Sequence, residues 1–437
     1  TYIVPAGEFD RVEDSESGRI LVQDGTYHDI PKNPVSLLAI PSLIIQGLNA
    51  SSGIILFIFV VGGSFRIITS TGAFDAVISS VANKLGKREI LIIPILLTIF
   101  AIGGATIGMS IEALGLVPLV VALARSLRYD ALTGMAIVLV GVFCGFISGL
   151  MNPFTVGVAQ DIAGLPIYSG MWLRAILLVV LVIVSSIYII RYAKKVKADP
   201  SKSLVVELEE SVSAKNQESQ MASTFQLKDF LVLLTFVSGI VLLIWGVTTK
   251  GWYIEQMAAL FLAMGIISGI CARFSSTRIS EEFIEGAKAV ILGALIVGIA
   301  RTIPIVLEEG HIIDSLVNGL SNMIMFMPDA IKVISIYLSQ NVINFFINSG
   351  SGQAAVTMPI MIPLGDLVGI TRQTTVLSFH LGDGFTNLIF PTASTLMAYL
   401  AATGISYEKW IKFIWPLVLI FIAIGAIFVV FASLIHY

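Results

Sequence analysis

Long apolar runs alternate with short polar interruptions along most of this chain. Residues 172–190, WLRAILLVVLVIVSSIYII, are apolar on all sides and do not alternate, the pattern of a membrane helix and not of a barrel strand. By this criterion spans are expected at 50–69, 171–193, 229–248, 257–273, 288–306 and 409–435. Amphipathic surface helices are expected at 35–48, 71–86, 277–287 and 309–326. Two peptides break the pattern: GGATIGMSIEA at 103–113 and INSGSGQAA at 347–355. Both are small and polar where a membrane helix should continue.

Charge at the helix ends explains the interruptions. Lys84, Lys87 and Arg88 precede the first interruption, and Arg125 and Arg128 follow it. Positive residues mark the cytoplasmic side, so both arms end there and the peptide between them turns round inside the membrane. A re-entrant hairpin is therefore expected at 88–128, with a second at 329–370. Irregular backbone at that depth is tolerated only inside protein or beside a wet cavity. Each hairpin precedes a broken helix, at 130–165 around SGLMNPFT and at 374–402 around GDGFTNLIFPTAS.

The two halves match each other. Without gaps, Ser110 aligns with Ser351, Glu112 with Gln353, Ala113 with Ala354, Pro118 with Pro359 and Thr133 with Thr374. Phe74–Asp75 and Ile313–Asp314 correspond in the preceding surface helices, and Asn152–Pro153 corresponds to Asn387 with Pro391. The expected fold is an all-α polytopic membrane protein with an inverted repeat. Residues 1–33 form an acidic extracytoplasmic segment, read as the exit from a further helix before Thr1. The first repeat spans 34–193, the cytoplasmic linker 194–228 is expected to be a flexible joint, and the second repeat spans 229–437. An inverted repeat puts its solute at the midplane, where the broken elements meet.

Composition agrees. The 437 residues are 56% hydrophobic and only 13% charged, against about 25% charged in soluble proteins. The net charge of −3 gives no basic bias toward nucleic acid or anionic lipid. Cys144 and Cys271 lie in or at the end of apolar runs and read as packing residues. No G-x-x-x-x-G-K-[ST], H-E-x-x-H or G-x-S-x-G stretch occurs, so neither ATP hydrolysis nor an intramembrane hydrolase is supported, and the chain does not read as an enzyme. A channel is the other rival; two inverted hairpins suit alternating access better.

The tips and breaks supply the candidate chemistry. Broken helices expose N–H groups at one end and C=O groups at the other, which favour a carboxylate and a cation respectively. The solute-binding candidates are Gly104, Gly108, Ser110, Glu112, Asn152, Ser349, Ser351, Gln353, Asp383, Asn387 and Thr392. Neutral oxygens of Asn152, Thr155, Asn348 and Asn387 suit sodium, and sodium or a proton is the coupling ion considered. Glu112 is read as the holder of a cationic substrate group or as a proton carrier, and Asp383 as a second functional acid. Asp161, Arg301 and His380 read more simply as structural, and Trp252, Trp410 and Trp415 as interface anchors.

YIVPAGEFDR followed by GTYHDIP, TGAFDAVI, and GDGFTNLIFPTASTLMAYLAATGISYEKWIKF resemble the YfcC-like branch of the anaerobic four-carbon-dicarboxylate carrier (DcuC) family, in the ion transporter superfamily. The resemblance covers almost the whole chain. It implies a homodimeric elevator in the bacterial inner membrane, with a scaffold at roughly 35–69, 171–193, 229–306 and 409–435 and a transport part holding the hairpins. Divalent-anion members carry Ser-Asn-Thr at their tips, whereas the first tip here lacks Asn and contains Glu112. A small amino acid, foremost a basic one such as arginine or ornithine, is therefore preferred to a four-carbon dicarboxylate.

Overall fold

The computed structural model describes residues 2–13, 20–73, 86–152, 154–216, 226–250, 252 and 254–437. The surface-helix correspondence at Phe74–Asp75 and most of the expected 71–86 helix lie outside these residues. Among the described residues, six helices are long and apolar enough to cross a bilayer. The chain is not purely helical: strands β1 (Gly7–Glu8) and β4 (His28–Asp29) pair antiparallel, as do β2 (Arg11–Glu13) and β3 (Ile20–Val22). This small β unit is seated by polar contacts. Arg11 pairs with Asp314 at 2.9 Å, and Phe9 N–H donates to the same carboxylate at 3.1 Å.

The helices are α1 (Ile40–Ala50), α2 (Ser52–Ser70), α3 (Ile92–Ile107), α4 (Val117–Ser126), α5 (Ala131–Ser148), α6 (Val156–Ile162), α7 (Met171–Ala198), α8 (Val206–Asn216) and α9 (Leu227–Lys250). There follow α10 (Ile254–Cys271), α11 (Ser276–Ala289), α12 (Ile291–Glu309), α13 (Ile313–Met325), α14 (Asp329–Phe346), α15 (Gly350–Leu367), α16 (Arg372–Thr386), α17 (Ser394–Thr403) and α18 (Tyr407–Leu434). One helix–turn–helix, α3–α4, packs both arms on α5; the other, α14–α15, packs both arms on α16. At 10 residues, α4 is too short to cross a membrane by itself.

Two groups of helices emerge from the packing. In one, α2 packs on α10, α11 and α12, α1 on α12, and α9 on α10. The other gathers both helix–turn–helix units and both broken helices. The expected scaffold needs correction here. Helix α7 packs on α3 and α5, and α18 on α14 and α16, so 171–193 and 409–435 join the second group. The reason is apolar matching: Leu173, Leu177, Leu181 and Ile189 of α7, with Leu417, Phe421 and Val429 of α18, are fully buried on these faces. The principal link between the groups is α17, against α12 and α2; the turn Ile111–Leu116, against α10, and α12, against α14, add smaller contacts.

The linker also departs from expectation. Helix α7 continues to Ala198, and α8 forms within the supposed loop. Glu209 of α8 accepts from Arg125 Nε at 2.9 Å and from Ala131 N–H at 2.9 Å, which ties the segment to the start of α5. Lys409 lies 2.7 Å from Glu207 and holds that carboxyl below its usual range. Trp410 is not an interface anchor; it is fully buried and donates Nε1–H to Leu388 O at 2.8 Å. Trp415 is 47% exposed, as an anchor should be. Both cysteines are free.

Asp130 is the polar hub of this end. It caps α5 by accepting Thr133 N–H at 2.9 Å, and it accepts hydroxyl protons from Tyr192 and Ser203, each at 2.6 Å. Asp130→Ala removes the cap and orphans two buried donors, so it is expected to cost about 2–4 kcal/mol. Thermal unfolding in detergent checks this; an unchanged melting temperature refutes it.

Candidate functional site

Both polar tips end on one cavity of about 320 Å³, a volume within the usual range for small-molecule sites. The first tip forms because α3 stops at Gly108, whose φ of +66° is left-handed. Only glycine fits this close to the first break: a Cβ there would lie 2.8 Å from Asn152 Oδ1 and 2.9 Å from Phe154 Cδ2. The chain then turns through Ile111–Leu116, and Pro118 opens α4. Ser110 N–H donates to Glu112 Oε2 at 2.7 Å, and Tyr399 Oη donates to Ser110 O at 2.8 Å.

The second tip is a capped helix start. Ser349 caps α15 by accepting Gly352 N–H at 3.3 Å. A Cβ on Gly350 would stand 2.3 Å from Thr155 Cγ2 and 3.4 Å from Asp383 Oδ2, so this tip's backbone presses closely on the first broken helix and touches the second. That helix is held by asparagines. Asn344 Nδ2 donates to Asp383 O at 2.7 Å, Thr386 Oγ1 at 2.8 Å and Asn387 Oδ1 at 3.0 Å; Asn348 Nδ2 reaches Asn387 Oδ1 at 2.6 Å. Asn344 lies in the last turn of α14 and Asn348 in the non-helical stretch just after it, so the end of α14 and the start of the tip together cover the free end of α16. At the first break the same task falls to Arg174. Its guanidinium is buried and donates to Gly149 O at 3.1 Å, Leu150 O at 3.4 Å and Ser169 O at 2.8 Å. A cation suits the carbonyl end of a half-helix.

Of the sequence candidates, Gly108, Ser110, Glu112, Thr155, Asn348, Ser349, Ser351, Asp383 and Asn387 line this cavity. Gly104, Asn152, Gln353 and Thr392 are not among its lining residues. Gly104 is a packing glycine: a Cβ would press within 2.8 Å of Phe146 N on α5. Asn152 braces the first tip, accepting Phe154 N–H at 2.9 Å. Gln353 turns between its own arms and donates to Gln340 O at 3.0 Å and Gln340 Oε1 at 2.8 Å. Glu112 and Gln353, aligned in the expected repeat, thus differ: Glu112 lines the cavity and Gln353 does not. Thr392 is buried outside the lining. His380 is fully buried against Gly149, Asp161 is exposed at the end of α6 and Arg301 is half-buried on α12.

The sodium candidates Asn152, Thr155, Asn348 and Asn387 differ in what their side-chain atoms already bind. Asn152 Oδ1 and Asn387 Oδ1 already accept donors, while Thr155 Oγ1 is buried without a hydrogen-bond partner. Asp383 Oδ2 is likewise buried and unpartnered, and it belongs to a cavity-lining residue. Sequence reasoning missed several contributors. Phe143, Phe146, Phe154 and Thr395 line the cavity, and Arg174, Asn344 and Tyr399 support it. For Arg174 a signal was present, a lone cation inside the apolar run WLRAIL; the phenylalanines look like any others in such a chain.

A bundle of apolar helices, six of them among the described residues long enough to span a bilayer, with two polar tips meeting at one cavity wall, is the architecture of a polytopic membrane protein. The chain belongs to the DcuC family, C4-dicarboxylate anaerobic carrier, whose model matches residues 1–434; it is a membrane transporter by family. It is 34% identical to "Putative basic amino acid antiporter YfcC" of Escherichia coli K12, over 100% of this chain and 94% of that protein. It is 31% identical to a Haemophilus influenzae protein named as uncharacterized, over 93% of this chain and 80% of that one. Among solved structures it is similar to the Alcanivorax borkumensis YdaH transporter (11% identity, TM-score 0.42, 98% and 94% coverage). It is also similar to Neisseria gonorrhoeae MtrF, from a class of antimetabolite efflux pumps (15% identity, TM-score 0.40, 97% and 90% coverage). Both structural likenesses are too weak to transfer any feature to this chain.

Gly108→Ala combines a left-handed backbone with the crowding described above, a cost of about 1–2 kcal/mol or more. Solute uptake into proteoliposomes is expected to fall about tenfold, with a monodisperse gel-filtration peak retained. Uptake within twofold of the unsubstituted protein refutes the close fit.

Proposed function

We propose that this protein is a secondary active transporter, an exchanger or ion-coupled symporter, that moves a small amino acid across the bacterial inner membrane. A basic amino acid such as arginine or ornithine is the favoured solute. The observation that carries this reading is the charge of the cavity wall: Glu112 and Asp383 both line it, and no Lys or Arg does. A zwitterion with a cationic side chain offers both acids an opposite charge. Its carboxylate is served by N–H groups at the start of α15, where Ser349 and Gly350 border the same space. A dicarboxylate would bring two negative charges against two acids. The name of the Escherichia coli relative, a basic amino acid antiporter, agrees with this preference.

The second reading, a four-carbon dicarboxylate carrier, is favoured by the family's description. An ion channel is the weaker rival. In the transport cycle proposed, the two helix–turn–helix units are re-entrant and related by an inverted repeat. With their broken helices, α7 and α18, they move as an elevator against α1, α2 and α9–α12 in a homodimer. The matching way each pair of arms packs on its broken helix supports the repeat. Sodium or a proton remains the proposed coupling ion; uptake measured in sodium and in choline at two pH values distinguishes them.

Counterflow from proteoliposomes loaded with arginine, ornithine or succinate tests the reading. Trans-stimulation by the basic amino acids is expected, and Glu112→Gln is expected to reduce it at least about tenfold, as loss of a charged hydrogen-bonding partner does. Undiminished arginine transport by Glu112→Gln removes the reason for preferring a cation, and stimulation by succinate alone establishes the dicarboxylate reading.

A further inference from the structure

Tyr399 sits where the second half of the chain touches the first tip. Its ring is fully buried in α17, and its hydroxyl reaches Ser110 O across 289 positions of sequence. It does not line the cavity, but Thr395, one turn earlier on the same helix, does. Helix α17 therefore presents Thr395 to the solute space and Tyr399 to the peptide beside it. Ser110 is held at both of its backbone polar atoms. Its carbonyl accepts Tyr399 Oη–H at 2.8 Å, and its N–H donates to Glu112 Oε2 at 2.7 Å. Helix α17 also packs on α12 and α2.

A phenylalanine would fill the same volume in this apolar surrounding. The hydroxyl adds one thing, a donor to the tip peptide. Ser110 stands one residue after the Gly108–Met109 step and opens the turn that carries Glu112, so rotation of its peptide groups would swing the carboxylate away from the cavity. We propose that Tyr399 is a positioning residue for the cation subsite: through Ser110 it aims the Glu112 carboxylate at the solute. The inference rests on the functional reading above, because it assigns Glu112 to the substrate's positive group. It also gives α17 a second task, since the helix that aims the acid is the one that packs on the neighbouring helix group.

The test compares arginine with citrulline, which has nearly the same shape and no side-chain charge. In competition uptake, Tyr399→Phe is expected to narrow the arginine-to-citrulline preference about threefold or more, the effect of one lost hydrogen bond. KM for arginine should rise while the maximal rate stays within twofold and the melting temperature hardly moves. Glu112→Asp, which shortens the acid by one methylene and withdraws it from Ser110 N–H, should narrow the same ratio by a separate route. A purely structural Tyr399 would weaken both solutes together; an unchanged ratio in Tyr399→Phe overturns the inference while leaving the substrate assignment standing. Preference of the unsubstituted protein for citrulline or succinate over arginine overturns the assignment itself, and is recognised without any substitution.

Discussion

A backbone that stops being helical inside a bilayer leaves N–H and C=O groups that water cannot reach, and each one must find a partner within the protein. Much of the central architecture answers that demand. At the first break Arg174 takes the carbonyls of Gly149 and Leu150. At the second, Asn344 takes the carbonyl of Asp383. The first tip is closed by Glu112 and Tyr399, the second by the Ser349 cap. The site is made from what these partners leave over: Asp383 Oδ2, Thr155 Oγ1 and the open start of α15.

This division separates support from recognition. Arg174 brings a positive charge to the first break, yet it is buried against carbonyls and does not line the cavity. The wall keeps two acids and three phenylalanines. Its electrostatics therefore follow from which charged groups the broken helices had already used. The two tips differ in the same way: Ser110 and Ser351 both line the cavity, but Gln353 is bonded to Gln340, between α14 and α15.

Helix α17 and the Ile111–Leu116 turn connect the two groups of helices, and both contribute residues to the cavity wall. Tyr399 lies at their meeting point. At one end of the second group, Asp130 and Glu209 dock α8 onto α5, so the segment joining the halves is anchored to the hairpin-bearing group.

Hydrophobic runs of span length, the two polar interruptions and the breaks after Ser148 and Thr386 were all legible in the sequence, because the absence of water makes composition along a membrane helix nearly diagnostic. The shared cavity was anticipated for the same reason: Gly108, Ser110, Glu112, Ser349, Ser351, Asp383 and Asn387 do meet there. What the sequence could not convey was which way a polar residue turns once buried. Gln353 and Asn152 have the right type but bond to neighbours through one amide atom each and do not line the cavity, while Phe146 and Phe154 look like packing and line the wall. The grouping of α7 and α18 with the hairpins, the burial of Trp410 and the helix inside the linker were likewise decided only by tertiary structure. Apolar surface is equally satisfied by lipid or by another helix, so hydropathy marks a span without naming its neighbour.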